Sequence, residues 1–201
     1  GTPPFQAFPD AGIVAMHDDL ADPETATPLI LINTAYKAGN ALASLLGPPL
    51  PERKFLAEFP DRARQMGMTE LIQMLFSVIS NNIPAEKIQQ MIPDWQSAFI
   101  TAAKSPGDLR LHSARLAYYK TAIEKQLEGN YPRSALWPML HTWALAADSG
   151  NFSEEQILLW ENFCSDIGVN PEQIPDRLQA LDALIENMVE ILEQVSADNG
   201  L

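Results

Sequence analysis

Between Arg133 and Asp148 the chain runs for fourteen residues, Ser134 to Ala147, without a charged side chain. Set on a helical period, Leu136, Leu140, Trp143 and Ala147 form one stripe, and Trp137, His141 and Ala144 form the one beside it. A helix that is apolar or aromatic on adjoining faces has to be enclosed by other helices. This stretch therefore predicts the centre of an all-α domain, with Pro138 kinking it and opening the bundle around its aromatic side chains.

Helix stops and starts divide the rest of the chain. Thr27 and Pro28 open a first helix that runs to Leu46 and stops at Gly47, and its small residues Gly39 and Ala43 allow a neighbour to approach closely. A stiff Pro48, Pro49, Pro51 connection leads to a second helix, interrupted by Pro60 and closed by Gly67 after Met66. Thr69 caps a third, which turns Leu71, Ile72, Leu75, Phe76 and Ile79 inward and ends at Asn81 and Asn82. A fourth starts at Pro84, is broken in two by Pro93, and ends at Ser105, Pro106 and Gly107.

A fifth helix over Asp108 to Glu128 puts Leu109, His112, Leu116, Tyr119, Ile123 and Leu127 on one stripe. After the central helix, Ser153 to Glu155 cap a seventh that ends at Gly168 and buries Ile157, Trp160, Phe163 and Cys164. In the last, Pro175 to Ser196, Leu178, Leu181, Ile185, Met188, Leu192 and Val195 follow the three-four spacing of a coiled-coil seam, broadened by Leu184 and Ile191. That breadth favours closing the domain over pairing with a second chain, and a homodimer through this helix is the alternative.

The expected fold is about eight helices over residues 28–201, in a compact bundle or in stacked helical hairpins. Residues 1–27 are read as an extended arm anchored by Phe5, Phe8, Ile13 and Val14, with a short strand in the run AGIVAMH as an alternative. A weak self-match at a shift near 83 residues aligns Tyr36 and Lys37 with Tyr119 and Lys120, and Gly67 with Gly150. Its matches lie mostly at helix ends, which any helical protein reuses. A true duplication would divide the domain into halves 28–105 and 106–201.

Charge narrows the function. The net charge is −13, but residues 28–133 carry a surplus of three positive charges, and residues 148–201 hold twelve acids against Arg177 alone. Nucleic acid and anionic membranes are disfavoured as partners. The acidic side of the last helix, Asp182, Glu186, Glu190 and Glu193, is instead a candidate surface for a basic protein partner. The basic residues Lys104, Arg110, Arg115, Lys120, Lys125 and Arg133, close to Tyr118, Tyr119 and Tyr131, are expected to pair with the acidic C-terminal helices, with phosphate or RNA binding as the alternative.

The chemistry on offer is thin. One cysteine leaves no disulfide or cysteine pair for zinc, and helical metal spacings, phosphate loops and nucleophile elbows are missing, so neither a catalytic set nor a metal or cofactor is expected. The single cysteine fits a reducing compartment. No run is apolar enough to span a bilayer and no signal peptide is apparent, which predicts a cytoplasmic protein.

His112 and His141, should they meet beneath Asp18 or Asp19, would be the place to bind a metal or move a proton, against the leading reading of two partly buried histidines satisfied by hydrogen bonds, and His17 lies in the arm. A flat ligand would find Trp137, His141, Trp143, His112 and Tyr119. The leading expectation is a non-catalytic protein-interaction or scaffold module. The alternative is a small-molecule-binding or enzymatic bundle, or the helical accessory domain of a larger enzyme.

Overall fold

Residues 27–104 and 108–198 are described by a computed structural model, and they form eight α-helices with no strand among them. These are α1 (Pro28–Ala43), α2 (Phe55–Gln65), α3 (Glu70–Ile79), α4 (Ala85–Ala102), α5 (Leu116–Leu127), α6 (Leu136–Asp148), α7 (Glu154–Ile167) and α8 (Ile174–Asp198). Short 3-10 turns at Glu52–Lys54, Leu109–Leu111, Ser113–Arg115 and Pro132–Ala135 lead into α2, α5 and α6. The predicted arm, with its four apolar anchors, the AGIVAMH run, His17, Asp18 and Asp19, lies outside the described residues, as do Ser105, Pro106 and Gly107.

The uncharged stretch is indeed enclosed. α6 packs against α1, α4, α5 and α7, and every residue from Leu136 to Ala144 is buried. Pro138 does not do what was expected of it: it lies in the first turn of α6, where an N–H has no acceptor within the helix, so the proline costs that helix no hydrogen bond. Its carbonyl accepts the Thr142 hydroxyl at 2.6 Å, and Thr142 Oγ1 in turn accepts the Trp95 indole N–H at 2.8 Å, joining α4 to the centre.

Two other prolines also fail to interrupt their helices. α4 runs unbroken through Pro93 and α2 through Pro60. A proline inside a helix costs about 3 kcal/mol, against about 1.5 to 3 kcal/mol gained for each large apolar side chain buried. Met91, Ile92 and Trp95 flank Pro93, and Phe55, Phe59 and Ala63 share a helix with Pro60, so packing outweighs the lost bond in both. Pro93 itself is exposed.

The predicted fifth helix is shorter than expected at its start, because residues 108–115 form two 3-10 turns instead. Asp108 accepts the Arg110 backbone N–H at 2.8 Å and His112 Nδ1 accepts that of Ala114 at 3.2 Å, and such local bonds compete with helical ones. Thr69 likewise makes no capping bond, since its backbone is already helical. Ser153 and Gln156 do form a reciprocal capping box at α7, whose buried residues are Phe163, Cys164 and Ile167. Ile157 is 45 % exposed, contrary to expectation.

α8 closes the domain by laying Leu178, Leu181, Leu184, Ile185 and Met188 against α1 and α3. At Gly39 a β-carbon would overlap the Phe55 ring, so glycine is what lets α2 reach α1. Gly168 ends α7 with φ 81° and lies beneath the side chains of Asn81 and Arg177. There Arg177 donates to the carbonyls of Gly168 and Ser77 and to Asn81 Oδ1, while Arg133 donates to the carbonyls of Phe76 (3.1 Å) and Ser80 (2.9 Å). Two guanidinium groups thus cap the carboxyl end of α3.

Candidate functional site

His141 lies midway along α6, on an otherwise apolar surface, and its side chain is 4 % exposed. A buried imidazole left without partners would cost about 1 to 3 kcal/mol for each unmade bond. Both nitrogens are satisfied from outside the helix: Nδ1 stands 2.5 Å from Glu52 Oε1, and Nε2 stands 3.2 Å from Arg110 Nη1. Arginine has only donors, so Nε2 accepts. That leaves Nδ1 to carry the hydrogen directed at Glu52.

Each partner is delivered by local structure. The proline-rich connection is held by Asn40 on α1, which accepts the Leu50 N–H at 2.7 Å and donates to its carbonyl at 3.2 Å, while Tyr36 Oη donates to the same carbonyl at 3.0 Å. Pro51 then leads the chain into the 3-10 turn that begins with Glu52. On the other side, Asp108 caps the turn Leu109–Leu111 and grips Arg110, from Nη2 to Oδ2 at 2.7 Å and from Nε to Oδ1 at 3.0 Å. Arg110 Nη1 also lies 3.6 Å from Glu52 Oε2.

The electrostatics follow from those contacts. Burial pushes the Glu52 carboxyl up, but the hydrogen bond from His141, and then the positive charge around it, hold it below its ordinary value on balance. The hydrogen bond from Arg110 holds Asp108 low, and that bond in turn raises Arg110. Tyr119 on α5 is raised, first by its burial and then by the charge of Glu52, and Tyr36 is raised in the same way. Partly exposed ion pairs contribute about 0 to 1 kcal/mol. The main work of the cluster is to join two 3-10 turns to α6 without leaving the ring unsatisfied.

A carboxylate behind a histidine is the arrangement of a general base when the far nitrogen is free. Here Arg110 occupies that nitrogen and the ring is enclosed, so no lone pair faces a substrate. Among the described residues no three His, Cys, Asp or Glu side chains are placed to hold a metal ion.

Of the residues picked out in the sequence, His141 contacts Glu52, and Tyr119, buried against Phe99, is within reach of that carboxylate's charge. His112 does not join them: it is exposed, away from the apolar stripe, because it caps the turn Ser113–Arg115. Trp137 and Trp143 are core residues with separate neighbours. Trp137 packs on Phe55 with ring centroids 4.9 Å apart, and Trp143 stacks on Phe163 at 4.5 Å. Neither indole N–H has a hydrogen-bond partner among the described residues.

On α8, Asp182 is partly buried while Glu186, Glu190 and Glu193 are exposed. The expected pairing of the basic residues with the acidic tail does not occur for Arg110, Lys120 or Arg133. Arg110 binds Asp108 and Glu52, Lys120 lies 4.0 Å from Glu124, and Arg133 turns to carbonyl oxygens. Lys87 does reach Asp166 on α7, at 2.8 Å.

Glu52 and Asp108 were missed by sequence reasoning, and Arg110 was placed in the basic cluster but not beside His141. A lone histidine on an apolar helix was a signal that polar partners must come from elsewhere, and Asp-x-Arg after Ser-Pro-Gly marked a turn that orders an arginine. Which distant residues would answer His141 could not be read from spacing.

No protein-family model matches the chain, and no curated protein or solved structure matches it. Among the described residues no helix is long and apolar enough to cross a membrane.

Proposed function

We propose that the protein is a non-catalytic helical interaction module that docks a basic protein partner on the acidic ridge of α8. One observation carries this reading: the apolar stripe of α8, from Leu178 to Met188, is used up against α1 and α3, while Glu186, Glu190 and Glu193 project from the same helix into solvent. A helix so committed on one face has its charged face left for recognition, and charge there sets partner choice and association rate more than affinity. The enclosed state of His141 supports the non-catalytic half of the proposal, because the ring has no free nitrogen to offer a substrate. The lone buried cysteine, Cys164, fits a reducing compartment, and the reading extends to the cytoplasm.

The test is affinity capture from the source cell with the wild-type chain and with Glu186→Lys, Glu190→Lys and Glu193→Lys combined, matched for fold by circular dichroism. The proposal expects a defined protein that the wild type retains, that about 0.5 M salt releases, and that the triple variant fails to bind. The same proteins held by both forms would sink it.

A further inference from the structure

The 3-10 turn that presents Glu52 to His141 sends its next two residues elsewhere. Arg53 and Lys54, with Glu58 and Asp61 of α2, face Lys125 and Gln126 of α5 across a groove of about 380 Å³. That volume is within the range of small-molecule sites.

The charges in the groove do not cancel. Glu58 is answered by Lys54 at 3.0 Å and Asp61 by Arg64 at 2.7 Å. Arg53 and Lys125, from opposite walls, have no carboxylate partner among the described residues. The Arg53 guanidinium is held in place all the same, 3.7 Å over the Tyr118 ring. Gln126 fixes the backbone beneath it by donating to the Arg53 carbonyl at 3.0 Å. Two polar atoms there, Arg53 Nε and Gln126 Oε1, are buried with no hydrogen-bond partner among the described residues. A chain that needed this region only for stability would gain by pairing them or by making them apolar.

We infer that this groove binds a small molecule through an oxyanion, a phosphate or a carboxylate, held between Arg53 and Lys125. An arginine ordered by stacking recognises such a group with little loss of side-chain freedom, and a lysine on the facing wall supplies the second charge.

The test uses the full ¹⁵N-labelled chain, titrated separately with inorganic phosphate and with succinate at ionic strength held constant with sodium chloride. The expected result is a saturable set of amide shifts at Arg53, Lys125, Gly129 and Asn130, weakened about tenfold in Lys125→Gln. Saturation by phosphate alone assigns a phosphorylated ligand, and saturation by succinate alone a carboxylic acid. Absence of saturation with both anions overturns the inference. So do shifts spread over exposed lysines such as Lys37 and Lys104, or a Lys125→Gln variant that titrates like the wild type.

Discussion

Two clusters of partly buried ionised groups among the described residues are answered in opposite ways. Around His141, acids and a base face one another: Glu52 and Asp108 are held low and Arg110 is raised, so each charge is stabilised by an opposite one. At the end of α3 two like charges approach instead. Burial lowers Arg133 and Arg177, and Arg177 lowers Arg133 further by its charge. The compensation for Arg133 comes from the carbonyl oxygens of Phe76 and Ser80 near the end of α3, and for Arg177 from those of Ser77 and of Gly168 at the end of α7, together with the charge of Asp176. Helix carboxyl ends carry partial negative charge, and here they do for arginine what carboxylates do elsewhere. The difference concerns acid sensitivity: a carboxylate loses its charge at low pH, whereas a peptide carbonyl keeps its dipole throughout.

Three substitutions test that contrast, with the apolar centre as the yardstick. Trp143→Ala should cost about 3 to 5 kcal/mol in urea unfolding, as removal of a buried aromatic does. A loss within about half a kcal/mol, the scale of surface changes, would deny that the centre outranks either polar cluster. Arg133→Met should cost about 1.5 to 3 kcal/mol, since the Ser80 carbonyl loses a charged donor, and the loss should be the same at pH 7 and at pH 4. A loss that fades with acid would show that a carboxylate, not a dipole, is the true partner.

Glu52→Gln should cost least, about 1 to 1.5 kcal/mol at neutral pH, because an amide still accepts from His141. Its pH course has a fixed sign. Glu52 is depressed in the folded protein, so its contribution is fully present above the ordinary value near 4.5 and is lost as pH falls through the lower folded one. The stability curves of variant and wild type should therefore converge toward low pH. Parallel curves down to pH 3 would remove Glu52 from the acid response.

Much of the helical frame was legible because its signals are local. The seam of α8 and the cap and stop of α7 at Ser153 and Gly168 follow from nearest-neighbour geometry. Pro60 and Pro93 misled for the converse reason: the local cost of a proline is fixed, while the packing that outweighs it comes from other elements. His112 misled because a side-chain bond to Ala114 competes with the helix at that point, and apolar periodicity takes no account of such bonds. The partners of His141 come from two separate turns, each of which reads as ordinary connection until the chain closes on itself.

The hydroxyl of Thr142 bears on how this sequence can drift. Its one hydrogen is committed to the Pro138 carbonyl, so toward Trp95 it acts only as an acceptor. Serine could make the same two bonds. Valine, though nearly the same shape, would strand an indole donor in the core, and a change at Trp95 would strand the hydroxyl's free lone pair. Position 142 is thus held to a hydroxyl for as long as position 95 carries an indole, whatever partner the surface of the molecule comes to select.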